Sequence, residues 1–305
     1  MIRAARDGGS RAWQDITIVT IRPRAEVPSR STKSKASSAA ARVRVGVGGW
    51  NYAPWRNNFY PAGLIQQREL EFASRQLTAI EINSTYYAAQ KPATYANWRK
   101  QTPDGFRFSL KAPRYATAAK VLANSGKSIN AFVFGGLAEL GDRLGPISWQ
   151  FMPTRRFDAD DLAAFLELLP RELDGKPLQH VLEVRNSSFM CADYLALARK
   201  HRVATVYTDS TDYPSFADVT GDLIYARLMR SEASIAAGYA DAALDAWASR
   251  ARTWASGSEP DDLSRIGAIN RAARQTPRDV YIYFIGSAKE RNPAAAMSLI
   301  ERLRA

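Results

Sequence analysis

Histidine and cysteine are almost missing from this sequence. Of its 305 residues only His180 and His201 are histidine, and only Cys191 is cysteine. A lone thiol excludes an internal disulfide and fits a reducing compartment. Cys191 has no histidine near it in sequence and reads as an ordinary buried thiol. His180 opens an apolar run and His201 closes a helical one, so a metal centre built on several imidazoles is excluded. No stretch approaches the roughly 18 consecutive apolar residues of a membrane-spanning helix. The N-terminus lacks the apolar core of a secretory signal, so the expected location is cytoplasmic. A phosphate-binding loop is also lacking: SGKS at 125–128 resembles its ending, but Val121 stands where the loop needs its first glycine.

Basic charge is plentiful, with a formal net charge of +12. Residues 1–42 hold nine basic side chains against three acidic ones, and the remaining 263 residues hold 33 against 27. Half of the excess therefore belongs to an Arg-, Ser- and Ala-rich segment whose composition cannot pack a core. It reads as a disordered basic extension with no folded role, interrupted by one β-like run, ITIVTI, at 16–21. The excess also favours anionic partners such as phosphate or nucleic acid, with a merely solvated surface as the plainer reading.

From residue 43 onward, apolar or alternating runs take turns with helical spacing. The strands are predicted at 43–49, 79–83, 106–112, 147–152, 180–186, 203–209, 222–229 and 280–286. Helical patterns follow at 64–77, 92–101, 127–143, 159–169, 192–201, 241–255 and 293–303, with Pro92 suited to a first turn and Asp158 to an N-cap. The link at 209–221 holds at most a helical turn, and 255–265 reads as an inserted loop with an extra helix. Eight β/α units in one domain, 43–305, fit an α/β fold of the (β/α)₈ TIM-barrel type, whose usual size is about 250 residues. An open doubly wound sheet is the alternative, but its glycine-rich dinucleotide loop is missing.

In such barrels the chemistry sits at the C-terminal strand ends. In AIEINSTYY, at 79–87, Glu81 and Asn83 share one face of a strand while Ile80 and Ile82 cover the other. Reading each exit in the same way collects Gly49, Trp50 and Tyr52, then Glu81, Asn83 and Tyr86, then Lys111, Gln150, Glu183 and Arg185, and finally Asp209, Arg227 and Tyr283. Tyr207 shares parity with Asp209, and Tyr225 with Arg227. The expectation is a pocket of three carboxylates and three cations rimmed by aromatics. The alternative is an ion-pair layer inside the barrel with no ligand.

These residue types suit an anionic, phosphorylated or carboxylated substrate. Arg185 and Arg227 can clamp such a group bidentately, and the backbone at Gly48 and Gly49 can donate to it. Glu81, with Glu183 and Asp209 as partners, is the favoured general acid/base, which suits a hydrolase or lyase. Lys111 is an electrostatic stabiliser or, with a depressed pKa, a Schiff-base nucleophile. Asn83 and Gln150 orient the substrate. No cofactor is required. A Mg²⁺ or Mn²⁺ ion on Glu81, Glu183 and Asp209 would compete with the three cations. Glycoside hydrolysis ranks lower, since three cations do not help an oxocarbenium-like transition state. A non-catalytic binder of nucleic acid or another anion is the class-level alternative.

These segments resemble the domain of unknown function 72 family, the YecE-like TIM-barrel proteins. The resemblance is carried by VGVGGWNYAPWRNNFYP (45–61), AIEINSTYY, GFRFSLKAPRYAT (105–117), QFMP (150–153), EVRNSSF (183–189), TDS (208–210), YARLMR (225–230) and YIYFIG (281–286). It covers about 43–305 and implies a barrel with a shared pocket, without a settled reaction. The chain departs from the family pattern where histidines are frequent in relatives: at Tyr115–Thr117, Asn186–Phe189 and Met229–Arg230. It departs again at Ile285–Gly286, where relatives are often asparagine-rich.

Overall fold

A computed structural model describes residues 42–269 and 276–305. The expected basic extension, including 16–21, lies outside the described residues apart from Arg42. Eight parallel strands close into a barrel: β1 (Val43–Gly48), β2 (Ala79–Ile82), β3 (Arg107–Lys111), β4 (Leu144–Gln150), β5 (His180–Glu183), β6 (Ala204–Thr208), β7 (Leu223–Leu228) and β8 (Asp279–Phe284). Each strand pairs with its sequence neighbours, and β1 closes the ring against β8 from Val43 opposite Val280 to Val47 opposite Phe284.

The helices are α1 (Glu69–Gln76), α2 (Pro92–Gln101), α3 (Arg114–Thr117), α4 (Gly126–Val133), α5 (Ala159–Glu167), α6 (Ala192–Lys200), α7 (Asp241–Ala255) and α8 (Asn292–Arg304). Two follow local signals read from the sequence. Pro92 opens α2, and the Asp158 carboxylate accepts the Asp161 N–H at 3.0 Å to cap α5. The helix expected over 127–143 is instead α4 followed by a 3₁₀ segment, Leu137–Arg143. Gly135 and Gly136 break it, and Gly136 has φ of +131°, which no helix admits. No helix forms in the described part of the insertion before β8, and none follows β6. None of the described helices is long and apolar enough to cross a membrane.

Two apolar regions result. Outward-facing strand residues such as Ile80, Ile82, Phe108, Leu110 and Trp149 join the helices in one core. Ala79, Val181, Ala204, Val206, Leu223, Tyr225, Tyr281 and Tyr283 fill the barrel axis. Burying a side chain such as Ile80, which has no exposure, contributes about 1.5–3 kcal/mol. Gly46 sets how tightly β1 approaches β2, since a Cβ there would fall 1.8 Å from the Ala79 carbonyl oxygen. The N-terminal end is closed by Arg44, paired to Asp279 at 3.1 Å and lying over the Tyr281 ring. His180 is here too, buried, with the Trp149 indole N–H reaching its Nδ1 at 3.1 Å and its Nε2 at 2.7 Å from the Pro170 carbonyl.

Candidate active site

Register brings the polar strand ends side by side. Glu81 lies next to Gly48 and Ser109, Lys111 next to Ser148, and Gln150 next to Glu183. Arg227 sits between Thr208 and Tyr283. Because alternate residues face opposite sides, the outward isoleucines of β2 and Leu182 of β5 turn Glu81 and Glu183 onto the axis.

At the centre is Arg227. Its Nε and Nη2 reach Glu81 Oε2 and Oε1, each at 3.1 Å, and its Nη1 reaches Glu183 Oε1 at 2.7 Å. The Tyr225 hydroxyl donates to Glu81 Oε2 at 2.7 Å. Glu81 has no solvent exposure, and both of its oxygens are occupied. Burial alone would lower the Arg227 pKa, but Glu183 and Glu81 reverse this and raise it. The Tyr225 hydroxyl is pushed up by burial and then by Glu81, so it remains a donor.

A second arginine completes the charge balance. Arg185 gives Nε and Nη2 to Glu183 Oε1 at 2.8 and 2.6 Å, and stacks on Tyr213 with its guanidinium carbon 4.2 Å from the ring centroid. Burial raises the Glu183 pKa, yet Arg227, Arg185 and Lys111 outweigh it and hold the carboxyl below the usual range. Every donor to Glu183 converges on Oε1, and its buried Oε2 has no hydrogen-bond partner among the described residues. Gln150 Oε1 and Ser148 Oγ are likewise buried without a partner.

Lys111 stands apart from this network. It is 8 % exposed, and its Nζ lies 4.9 Å from the centroid of the Tyr86 ring. No carboxylate among the described residues comes within the 4.0 Å of an ion pair. Two carboxylates already balance two guanidiniums, so a protonated Lys111 is an excess charge in a buried site. Burial first, and Arg227 second, bring its pKa down to about 8.

Of the other residues singled out from the sequence, three stay at this end. Asn83 follows Glu81 at the exit of β2, with its amide nitrogen 3.5 Å from the Glu81 carbonyl oxygen. Gly49 has φ of +73° and donates its N–H to the same carbonyl at 2.8 Å, so that donor is not offered to an anion. Tyr86 covers Lys111 and stands beside exposed Tyr87 and Met152.

Four residues depart from the expected arrangement. Trp50 turns into the outer layer, edge-on to Trp98 at 5.1 Å. Tyr52 packs against Trp55 and under Lys289, whose Nζ is 4.3 Å from its ring. Tyr283 is wholly buried on the axis, with its hydroxyl 2.6 Å from Ser109 Oγ, and forms no rim. Asp209 does not join the other carboxylates. Its oxygens accept from the Met229 N–H at 2.5 Å and the Tyr239 hydroxyl at 3.0 Å, and burial raises its pKa. The parity read for β6 is reversed: Ala204 and Val206 face the axis, while Tyr207 packs outward on Trp247 and Trp254. The three-carboxylate ion site is therefore not assembled, and no three His, Cys, Asp or Glu side chains converge on a metal position among the described residues. Cys191 is half-buried at the start of α6.

Tyr225 and Tyr213 enter the network although neither was among the selected residues. Tyr225 carried a signal, since it shares parity with Arg227 on β7. Tyr213 lies in the helix-free link after β6, where no periodicity points to it. A cleft of about 900 Å³ opens between the loops after β3 and β4, lined by Thr117, Lys120, Met152, Arg155 and Asp161 among others. It includes none of the charged residues of the axis.

The comparisons with known proteins agree with this architecture. The chain is 18 % identical to a DUF72 family protein of Thermotoga maritima, with a TM-score of 0.65 over 86 % of this chain and 99 % of the other. A DUF72 family protein of Enterococcus faecalis matches with 16 % identity and a TM-score of 0.63 over 87 % and 96 %. These likenesses concern the fold. In sequence, the UPF0759 protein YecE of Escherichia coli strain K12 is 28 % identical over 150 residues, 48 % of this chain and 50 % of YecE. The UPF0759 protein YunF of Bacillus subtilis is 29 % identical over 70 residues, 23 % of this chain and 24 % of YunF. The match thus spans half the length of YecE or less of each curated relative. The model of the family described as "Protein of unknown function DUF72" matches residues 44–305, and the chain belongs to that family.

Proposed function

We propose that the C-terminal mouth of the barrel binds a small anionic substrate, phosphorylated or carboxylated, and acts on it by acid–base chemistry. The observation that carries this reading is the presence at one end of the barrel of Lys111, a largely buried lysine without an ion-pair partner, and of Glu183 Oε2, a buried carboxylate oxygen that lacks a donor. A purely structural ion-pair layer would satisfy its buried atoms, because an unpaired one costs about 1–3 kcal/mol. Here Glu81, Arg227 and Tyr225 make a satisfied layer, while Glu183 Oε2 and Gln150 Oε1 at the same end of the barrel have no partner. Lys111 and Arg185 supply attraction for the anion, Glu183 is the base, and Gln150 orients. Glu81 acts through Arg227, as a positioning residue. This division suits a hydrolase or lyase.

Thermal-shift titration with inorganic phosphate and small carboxylates tests it. A concentration-dependent rise in wild type, lost in Lys111→Met and reduced in Gln150→Leu, is expected. A response identical in all three proteins, or none, would remove the reading. The exposed Tyr87 beside Tyr86 favours a second reading, stacking of single-stranded nucleic acid at the rim. That reading requires affinity for an oligonucleotide that falls steeply with salt.

A further inference from the structure

Lysine usually keeps its ammonium in water or against a carboxylate. Lys111 has no carboxylate within ion-pair distance among the described residues, and only 8 % of it is exposed. The two carboxylates at hand are held by Arg227 and Arg185, and the amine is covered by the Tyr86 ring. The atoms lacking partners nearby are mostly acceptors: Glu183 Oε2 and Gln150 Oε1 have no donor, and Ser148 Oγ, beside Lys111 in register, can accept or donate. A resting site with surplus acceptors beside a free amine is complementary to a species that brings donors.

The geometry points to Lys111 as an imine-forming amine for an anionic aldehyde or ketone, with Glu183 Oε2 as the group that moves the proton. This rests on the anion-site reading above and names its substrate class.

The neutral amine adds its lone pair to the carbonyl carbon. A C–N bond forms as the carbonyl π pair moves to oxygen. The nitrogen proton passes through a bridging water and Glu183 Oε2 to that oxygen, giving a carbinolamine that carries both an O–H and an N–H. These are the donors that the orphaned acceptors lack, so the intermediate is better satisfied than the resting site. With one further proton from solvent, the C–O bond breaks and water departs. The nitrogen lone pair completes C=N, leaving an iminium. Nothing is oxidised or reduced. The positive nitrogen then faces Glu183 and the Tyr86 ring, both of which favour a cation. Arg185, part-exposed beside Glu183, is placed for the anionic end of the substrate. A pKa of about 8 supports the step, since it leaves on the order of a hundredfold more free amine at neutral pH than an exposed lysine has.

The test uses the full chain, glyoxylate as the anionic aldehyde, and cyanoborohydride to reduce any imine to a stable secondary amine, with the site read by peptide mass spectrometry. Lys111 should be trapped roughly ten- to a hundredfold faster than the exposed Lys91 and Lys100, with a rate that rises to a plateau near pH 8. The adduct should be absent in Lys111→Arg. Because wild-type lysines are compared within one molecule, the result does not depend on that variant folding. Trapping of Lys111 no faster than Lys91 would overturn the inference. Inorganic phosphate, which has no carbonyl, should slow trapping by occupying the anion site. Phosphate stabilisation without preferential trapping would leave the anion-site reading standing and overturn the imine. Preferential trapping unaffected by phosphate would overturn the anionic substrate class.

Discussion

Arg227 and Glu81 form a two-point ion pair with 3.1 Å contacts, and neither side chain is more than 3 % exposed. Such a pair holds geometry more than it adds stability, because desolvating both ions offsets much of their attraction. Its removal is asymmetric. Arg227→Met leaves Glu81 and Glu183 buried with one guanidinium between them, and should cost about 3–5 kcal/mol in chemical denaturation. Combining it with Glu81→Leu should recover part of that loss. A double-mutant cycle with no coupling would show that the two groups do not act as a unit.

Lys111 gives the opposite sign. Its folded pKa of about 8 lies below the 10.5 of an unperturbed lysine. Between those values the unfolded chain holds more protons than the folded one, so stability rises with pH across this window. Below about pH 8 both states are protonated and the full cost of burial is present, about 3 kcal/mol from the size of the shift. Lys111→Met should therefore stabilise the protein at pH 7 and flatten its stability profile between pH 8 and 10. A loss of stability on that substitution would mean that the ammonium has a partner in the folded protein.

The contrast between these residues marks what was legible in the sequence. The barrel was readable because eight apolar runs recur with helical patterns between them, and because Glu81, Glu183 and Arg227 each stand between outward-facing apolar neighbours. On β6 the same reasoning fails. Strands of a parallel barrel are covered on both faces, so VATVYTD has no clear polar side. Small residues, Ala204 and Val206, fill the narrow axis, and the large Tyr207 goes out to Trp247 and Trp254. The aromatics after β1 misled for a related reason: loop residues have no period, and Trp50 is drawn to Trp98. Which carboxylate takes which cation depends on distances across the barrel. No sequence pattern shows that Arg227 captures both glutamates and leaves Lys111 alone.

Asp209 provides a check on the boundary of the site. Burial raises its pKa, so the folded state holds its proton to higher pH than the unfolded state does. Its ionisation lowers stability as pH rises from the ordinary aspartate range to the folded value. In Asp209→Asn the side-chain oxygen can accept from Met229 N–H while the amide donates to the Tyr239 oxygen. That variant should keep its fold, lose this pH dependence, and show the same phosphate-induced thermal shift as wild type. A lost shift would place Asp209 in the binding site after all.

Tyr225 tests the layer beneath the site. Its hydroxyl makes a 2.7 Å hydrogen bond to a carboxylate with no solvent access. Tyr225→Phe removes the donor without leaving a cavity, and Glu81 keeps its two contacts with Arg227. Hydrogen bonds to charged groups contribute about 1.5–3 kcal/mol, so a loss in that range is expected by denaturant titration. If Glu81 only positions Arg227, the rate of glyoxylate trapping at Lys111 should change little in this variant, because Arg227 still spans both glutamates. A collapse of trapping with stability intact would instead make the Glu81 carboxylate a direct participant, since only its hydrogen bonding would have changed.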